Sequence, residues 1–257
     1  MNVTLDLRCG VSGDMVLGAL LEWYGRSGDA KRIIDDLESA ASVMSPTRVK
    51  LSGVDRHGSH ASRISVSWDK MERDSVMGED MINIMEEGLS RISIDRAGRE
   101  MTMRILKNIL DAESIAHIVN DLGEVHLHET GTPDTIVDAV GIGILYDRLE
   151  LDGAWIQGTP ISLGYGTVET SHGVLEVPVP AVRSMIRNLP VRSGPVPGEL
   201  ATPTGVAAAK ALVEIWLDSR EGGDNIRIPG EIVGSGAGMR AYPNPFRNVL
   251  DLYLEDR

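Results

Sequence analysis

Asn2-Val3-Thr4-Leu5-Asp6-Leu7, then Arg8-Cys9-Gly10-Val11-Ser12-Gly13-Asp14, then Met15-Val16-Leu17-Gly18-Ala19-Leu20-Leu21, is the stretch from which the fold class is read. The first segment reads as a short strand. The glycine-punctuated loop ends it, and the apolar run from Met15 to about Tyr24 reads as a helix stopped by Gly25 and Gly28. A strand, glycine loop and helix at the start of a chain point to an α/β fold, with mixed sheets and flanking helices.

Further along, a helix is expected over about Asp29 to Val43, closed by Pro46. Strands follow at Arg48–Val54 and Arg63–Trp68, joined by a turn over Asp55–His60. Ile64, Val66 and Trp68 alternate with Ser65 and Ser67, the pattern of a half-buried strand. Two polar helices fill about Glu79 to Leu122, with Met101, Ile105, Ile109 and Leu110 spaced for one buried face and no chemistry apparent. A short strand, a tight turn and a helix over about Pro133 to Leu149 come next. Seven of the 12 prolines fall between Pro160 and Pro203, where strands, turns and short helices must alternate. A helix around Gly205–Leu217, a glycine loop at Gly234–Gly238 and a strand over Val249–Leu254 complete the expectation. The division anticipated is two lobes, 1–122 and 123–257.

Composition narrows the function. The 257 residues carry 25 Lys+Arg against 38 Asp+Glu, a net charge of -13, which argues against a nucleic-acid partner because phosphate backbones are held by clustered positive charge. With 42% hydrophobic and 25% charged residues the chain can bury a core. No apolar run approaches the roughly 20 residues of a membrane helix, and the N-terminus lacks signal-peptide features, so no membrane association and a cytoplasmic location are expected. The single cysteine, Cys9, excludes an internal disulfide or a multi-thiolate metal site, so any metal must be held mainly by His and carboxylate.

Three constellations offer chemistry. In Val125-His126-Leu127-His128-Glu129, residues two apart on a strand share a face, and Asp134 and Asp138 share a face of the next helix. Two imidazoles beside two carboxylates suit a borderline divalent ion such as nickel, zinc or cobalt. The same residues are equally explained by Thr132 capping a helix, Pro133 at its first position, Asp134 complementing its dipole, and a polar strand face. The Gly10–Asp14 loop with Asp6 offers amides at a helix N-terminus for an anion, or is an ordinary turn and cap; it has neither the lysine of a Walker loop nor a third dinucleotide glycine. Cys9 beside it reads as a ligand, a nucleophile or a small buried residue. The third group is Ser171-His172-Gly173 with Gly198-Glu199-Leu200-Ala201-Thr202-Pro203-Thr204-Gly205, where Thr202 or Thr204 caps a helix. His172 is a proton carrier or a hydrogen-bonded hairpin residue.

Taken in order, five segments resemble the LarC family of nickel insertion proteins. They are Asp6 with Gly10–Leu20, Val125–Glu129 with Asp134–Asp138, His172–Leu175 with Pro178–Ala181, Gly198–Gly205, and Gly234–Gly238 with Asn248–Leu250. The resemblance implies insertion of Ni²⁺ into pyridinium-3,5-bisthiocarboxylic acid mononucleotide, with two nickel–sulfur bonds and one nickel–carbon bond formed. The implied activity is that of a nickel chelatase, a cyclometallase-type lyase, using CTP with Mn²⁺ or Mg²⁺. CTP binding is attributed to a C-terminal domain that lies beyond Arg257 in full-length members, so a separately encoded partner chain is expected to supply it. A homo-oligomer is expected.

On this reading His126, His128, Glu129 and Asp134 are the metal ligands, and Asp14, Asp138 and His172 the catalytic groups. Gly10, Ser12, Gly13, Thr202 and Thr204 bind the substrate phosphate. The alternatives are a nickel delivery protein without catalysis, and a metal-dependent hydrolase of a small phosphorylated substrate.

Overall fold

A computed structural model describes residues 1–71, 74–171, 173–217 and 226–255. Strand β1 (Asn2–Asp6) leads to helices α1 (Gly13–Tyr24) and α2 (Ala30–Ala41). The hairpin β2 (Thr47–Arg56) and β3 (Ser59–Trp68) is followed by β4 (Val76–Met77), α3 (Gly78–Ser90) and α4 (Arg96–His117). Next come β5 (His126–Leu127), α5 (Pro133–Arg148), β6 (Trp155–Gly158), β7 (Ile161–Tyr165), β8 (Thr167–Thr170) and β9 (Gly173–Glu176). The chain continues through α6 (Pro180–Met185), β10 (Val191–Pro197), α7 (Pro203–Leu212), β11 (Ile215–Trp216), β12 (Glu231–Ala237) and β13 (Val249–Glu255).

The α/β fold is organised by one seven-stranded mixed sheet in the order β11-β6-β1-β13-β12-β3-β2. Central β1 runs parallel to β6 and antiparallel to β13. Three strands come from residues 1–122 and four from 123–257. Helix α1 lies on β12, β3 and β13; α5 packs on α1, and α4 packs on α5 and α7. Position in this stack explains the helix sequences. α1 and α5 are surrounded by other elements, so Met15–Leu21 and Thr135–Leu145 are buried almost without interruption. The outer α4 keeps a stripe, Met101, Ile105, Ile109 and Leu110, against polar residues facing out. Among the described residues no helix is long and apolar enough to cross a membrane.

Three local expectations are corrected. The helix expected around Gly205–Leu217 is α7 and stops at Leu212, and Ile215–Trp216 form strand β11 at the sheet edge beside β6. The glycines at 234–236 do not form a loop. They lie in β12, between β13 and β3. A Cβ at Gly234 or Gly236 would collide with the α1 backbone at Ala19 or Met15, so the small residues bring helix and sheet into close contact. The β2–β3 turn is tighter than the six residues expected. Arg56 pairs with Ser59, and His57 and Gly58 both take positive φ (54° and 83°), which matches the twist of the flanking strands.

Candidate functional site

The carboxyl end of β1 is where the first motif is shaped. Gly10 turns the chain with φ 92° and its amide donates to the Leu7 carbonyl (3.0 Å). The Val11 amide then donates to Leu200 O (2.8 Å), and the Thr202 amide donates to Val11 O (2.9 Å), so the loop is zipped to the segment before α7. Thr202 Oγ1 caps α7 by accepting from the Gly205 amide (3.1 Å). Ser12 and Thr132, the N-cap residues of α1 and α5, make no side-chain cap bond. The Ser12 hydroxyl instead donates to the Asp14 carboxylate.

The first turns of α1, α5 and α7 meet at one cavity of ≈ 370 Å³ lined by Ser12–Met15, Asp134, Thr135, Asp138 and Thr202–Thr204. Arg240 and Asn248 also border it. Four of the five resembling motifs thereby contribute to one wall. Asp138 is only 3% exposed, and its Oδ1 has no hydrogen-bond partner among the described residues. Gly13 lets the two helices close on it, since a Cβ there would strike the Asp138 carboxylate. Burial raises the Asp134 pKa to about 6, with Asp14 adding to the shift. Burial, then Asp134 and Asp14, raises Asp138 well above the ordinary range. Burial raises Asp14 as well, against hydrogen bonds from Ser12 and the Met15 and Met239 amides.

A second cavity of ≈ 470 Å³ adjoins the first, sharing Glu129, Thr130, Val168, Glu199 and Pro203 with it. Its other wall is the end of α4, where Glu113 and His117 lie four residues apart with Oε2 and Nε2 3.8 Å from each other. The His117 and His128 ring centroids are 6.2 Å apart. Thr130 Oγ1 donates to Glu113 Oε1 (3.1 Å). Burial raises the Glu113 pKa, with Thr130 opposing it. The β8–β9 hairpin covers this end with Val168, Thr170 and Leu175, and Ser171 donates from its amide (2.6 Å) and hydroxyl (2.7 Å) to Glu129 Oε1. At the junction, burial lifts the Glu199 carboxyl to about 7, Arg240 acting downward and Glu129 upward.

The cleft thus gathers Ser12, Gly13, Asp14, Glu129, Asp134, Asp138, Thr202 and Thr204 in the first cavity, and His128 with Glu129 in the second. His126 lines neither; it is exposed on β5, with Ser75 Oγ 3.4 Å from its Nδ1. The strand stops at Leu127, so the alternation that would pair the two imidazoles does not extend to His128. Gly10 shapes the loop from behind the wall. His172 lies outside the described residues. Among the described residues no three His, Cys, Asp and Glu side chains are set to hold a metal ion by themselves. Asp6 is taken up by a two-point ion pair with Arg8, and Cys9, its thiol pushed up by burial, lines neither cavity.

Sequence reading missed Glu113, His117, Glu199 and Arg240. Glu113 and His117 carry an i, i+4 signal, one face of a helix, that was hidden in a segment read as chemically silent. Glu199 lies in the Gly198–Gly205 segment, where the threonines carry a capping signal and the glutamate has no local signal of its own.

The family profile described as "Nickel insertion protein" matches residues 3–257. The chain is 34% identical to a provisionally named nickel insertion protein of Methanothermobacter thermautotrophicus, over 94% of this chain and 55% of that one. It is 34% identical to one from Geotalea uraniireducens, over 96% and 60%. It is 31% identical to the pyridinium-3,5-bisthiocarboxylic acid mononucleotide nickel insertion protein of Clostridium kluyveri, over 98% and 61%. The chain therefore spans a little over half the length of these relatives. No solved structure matches it.

Proposed function

Because the chain belongs to the nickel insertion protein family, we propose that it forms the cleft in which nickel is inserted into a pyridinium bisthiocarboxylate mononucleotide. The observation that carries this reading is the continuity of two unlike cavities. One is ringed by three helix N-termini, and the other holds imidazoles and carboxylates. Helix N-termini attract phosphate through free amides and the positive dipole end, and α1 and α5 begin without a side-chain cap. The mononucleotide phosphate is assigned there, against Ser12, Gly13, Thr202 and Thr204. Borderline divalent ions favour imidazole, so nickel, the substrate metal, is assigned to the His117–His128 end with Glu113 and Glu129 around it.

The pyridinium ring then lies at the junction, beside Glu199. Forming the nickel–carbon bond breaks a ring C–H bond; its electron pair goes to nickel and its proton must be accepted. Glu199, with a pKa of about 7, is matched to accept a proton near neutrality. Glu199 takes the role of base in this reading, and the three aspartates stand at the phosphate end.

The test is incubation of the chain with Ni²⁺ and the bisthiocarboxylate mononucleotide, alone and with the C-terminal portion of a longer relative plus CTP and Mg²⁺, product being read by mass. Metallated product that disappears in Glu199→Gln, with nickel still bound, is the expected result. Stoichiometric nickel binding without product under full complementation would instead favour delivery without catalysis, and failure to bind the mononucleotide would overturn the reading.

A further inference from the structure

Arg240 borders the helix-terminus cavity. Acidic residues outnumber basic ones in this chain by 38 to 25, and Arg8, Arg91, Arg96 and Arg247 each pair with a carboxylate. Among the described residues the Arg240 guanidinium has neither an ion pair nor a hydrogen bond. Glu199 is near enough for Arg240 to pull its carboxyl downward, yet the two are not paired.

An exposed arginine is ordinarily held only by water. This one has a platform. Its guanidinium carbon lies 5.8 Å from the centroid of the Tyr242 ring, within cation–π range. Tyr242 in turn meets Phe246 edge to face, with ring centroids 5.3 Å apart, and its hydroxyl donates to the Glu199 carbonyl (3.5 Å). The backbone is fixed as well, because buried Asn248 donates from Nδ2 to the Arg240 carbonyl (2.8 Å). Gly198, at φ 100°, makes the room: a Cβ there would collide with Arg240 Nη1. Stacking occupies the face of a guanidinium and leaves its edge, where the N–H donors lie, for a ligand.

We infer that Arg240 determines specificity for the anionic substituent of the pyridinium ring, gripping the oxygen of one thiocarboxylate and so aiming its sulfur at the nickel end. The inference rests on the functional reading, which sets the ring beside Glu199. The phosphate end is served by helix amides, whereas Arg240 lies against Gly198, next to the residue that both cavities share. A thiocarboxylate bonded to a metal through sulfur keeps its oxygen as an acceptor, and a guanidinium supplies charge-assisted donors to it in a fixed plane. Lysine would keep the charge but lose both the fork and the flat surface that stacks on Tyr242.

The experiment uses the whole chain without nickel, with binding followed by calorimetry. The probes are pyridinium-3-carboxylate mononucleotide, its 3-carboxamide counterpart, and the two ribosides that lack the phosphate. The native chain is expected to prefer carboxylate to carboxamide by at least about tenfold, a preference that falls below about threefold in Arg240→Gln and is only partly recovered in Arg240→Lys. The preference for mononucleotide over riboside should survive in both variants, which general loss of structure would not allow. Equal binding of carboxylate and carboxamide by the native chain, or a carboxylate preference that persists in Arg240→Gln, would overturn the ring site. Loss of the phosphate preference in its place would move the guanidinium to the phosphate and overturn the ring site too. Ribosides that bind as tightly as mononucleotides, with the carboxylate preference intact, would sink the phosphate assignment and leave the ring site standing. Failure of every probe to bind would overturn both.

Discussion

Two sets of buried aspartates in this protein have opposite surroundings. Asp6 and Asp251 face each other across β1 and β13, like charges in register, yet each has an arginine of its own. Arg8 grips Asp6 through Nε (2.7 Å) and Nη2 (2.6 Å). Asp251, 2% exposed, accepts from Arg247 Nη2 (2.9 Å) and Ser235 Oγ (2.6 Å). Arg247 reaches on to Ser59 Oγ (2.9 Å), tying the end of β13 to β3. The cavity shared by Asp14, Asp134 and Asp138 shows no such aspartate–arginine ion pair among the described residues, and Asp138 Oδ1 has no hydrogen-bond partner among them. Compensated buried charge holds strands together; uncompensated buried charge costs stability and persists where a ligand supplies what is missing.

Breaking the compensated set gives the largest expected effect. Arg247→Met should destabilise the chain by about 3 kcal/mol, because it leaves Asp251 charged and buried with Ser235 as its remaining partner. Urea unfolding measures this, and a loss below about 1 kcal/mol would mean that Asp251 is neutral or relaxes toward water.

The junction between the two cavities should respond through rate rather than stability. Glu199→Gln is expected to slow nickel incorporation by about 10²–10³-fold with little change in unfolding midpoint. In the native chain the rate should rise as pH passes through about 7, since Glu199 must be ionised to accept a proton. A flat profile between pH 6 and 8 would remove Glu199 from that role.

The uncompensated set should show the opposite sign to the first. Asp134 has its folded pKa raised from 3.8 to about 6, so its favourable contribution is complete below about pH 4 and lost as pH rises through about 6. In chelator at pH 8, Asp134→Asn should therefore raise Tm by about 3 °C, the equivalent of ~1 kcal/mol. The gain should vanish below pH 4; a gain of equal size at both pH values would point to packing instead of charge. The solvated reference is the Lys107–Asp111 pair on α4, exposed on both sides. Asp111→Ala should change stability by less than about 0.5 kcal/mol, which calibrates how little an ion pair contributes in water.

The difference between those aspartates was not legible in one dimension. Asp6, Asp14, Asp134 and Asp138 all stand in or beside glycine- or proline-marked loops, and nothing in their spacing reveals that Arg8 neutralises the first while the other three meet across α1 and α5. The His126–His128 pairing failed for a related reason. Alternation is reliable only while a strand lasts, and β5 lasts two residues. Glu113 and His117 went unread because a helix face declares its function only when something is packed opposite it, here the turn bearing His128 and the β8–β9 hairpin.

What the sequence determined by itself was the succession of elements and the local chemistry at their ends. The strand, glycine loop and helix at the N-terminus, the Pro133 helix start, the Thr202 cap and the alternation in β3 all follow from short-range backbone and solvation preferences. The order of motifs was also enough to identify the family. Tertiary structure alone decided which of the charged residues share a cavity. That depends on helix ends brought together from positions 12, 132 and 202, and no local rule carries the information of how α1, α5 and α7 pack against one another. Glycines at 13, 234 and 236 mark the close approaches that make this stacking fit, but which partner each admits is fixed only in three dimensions.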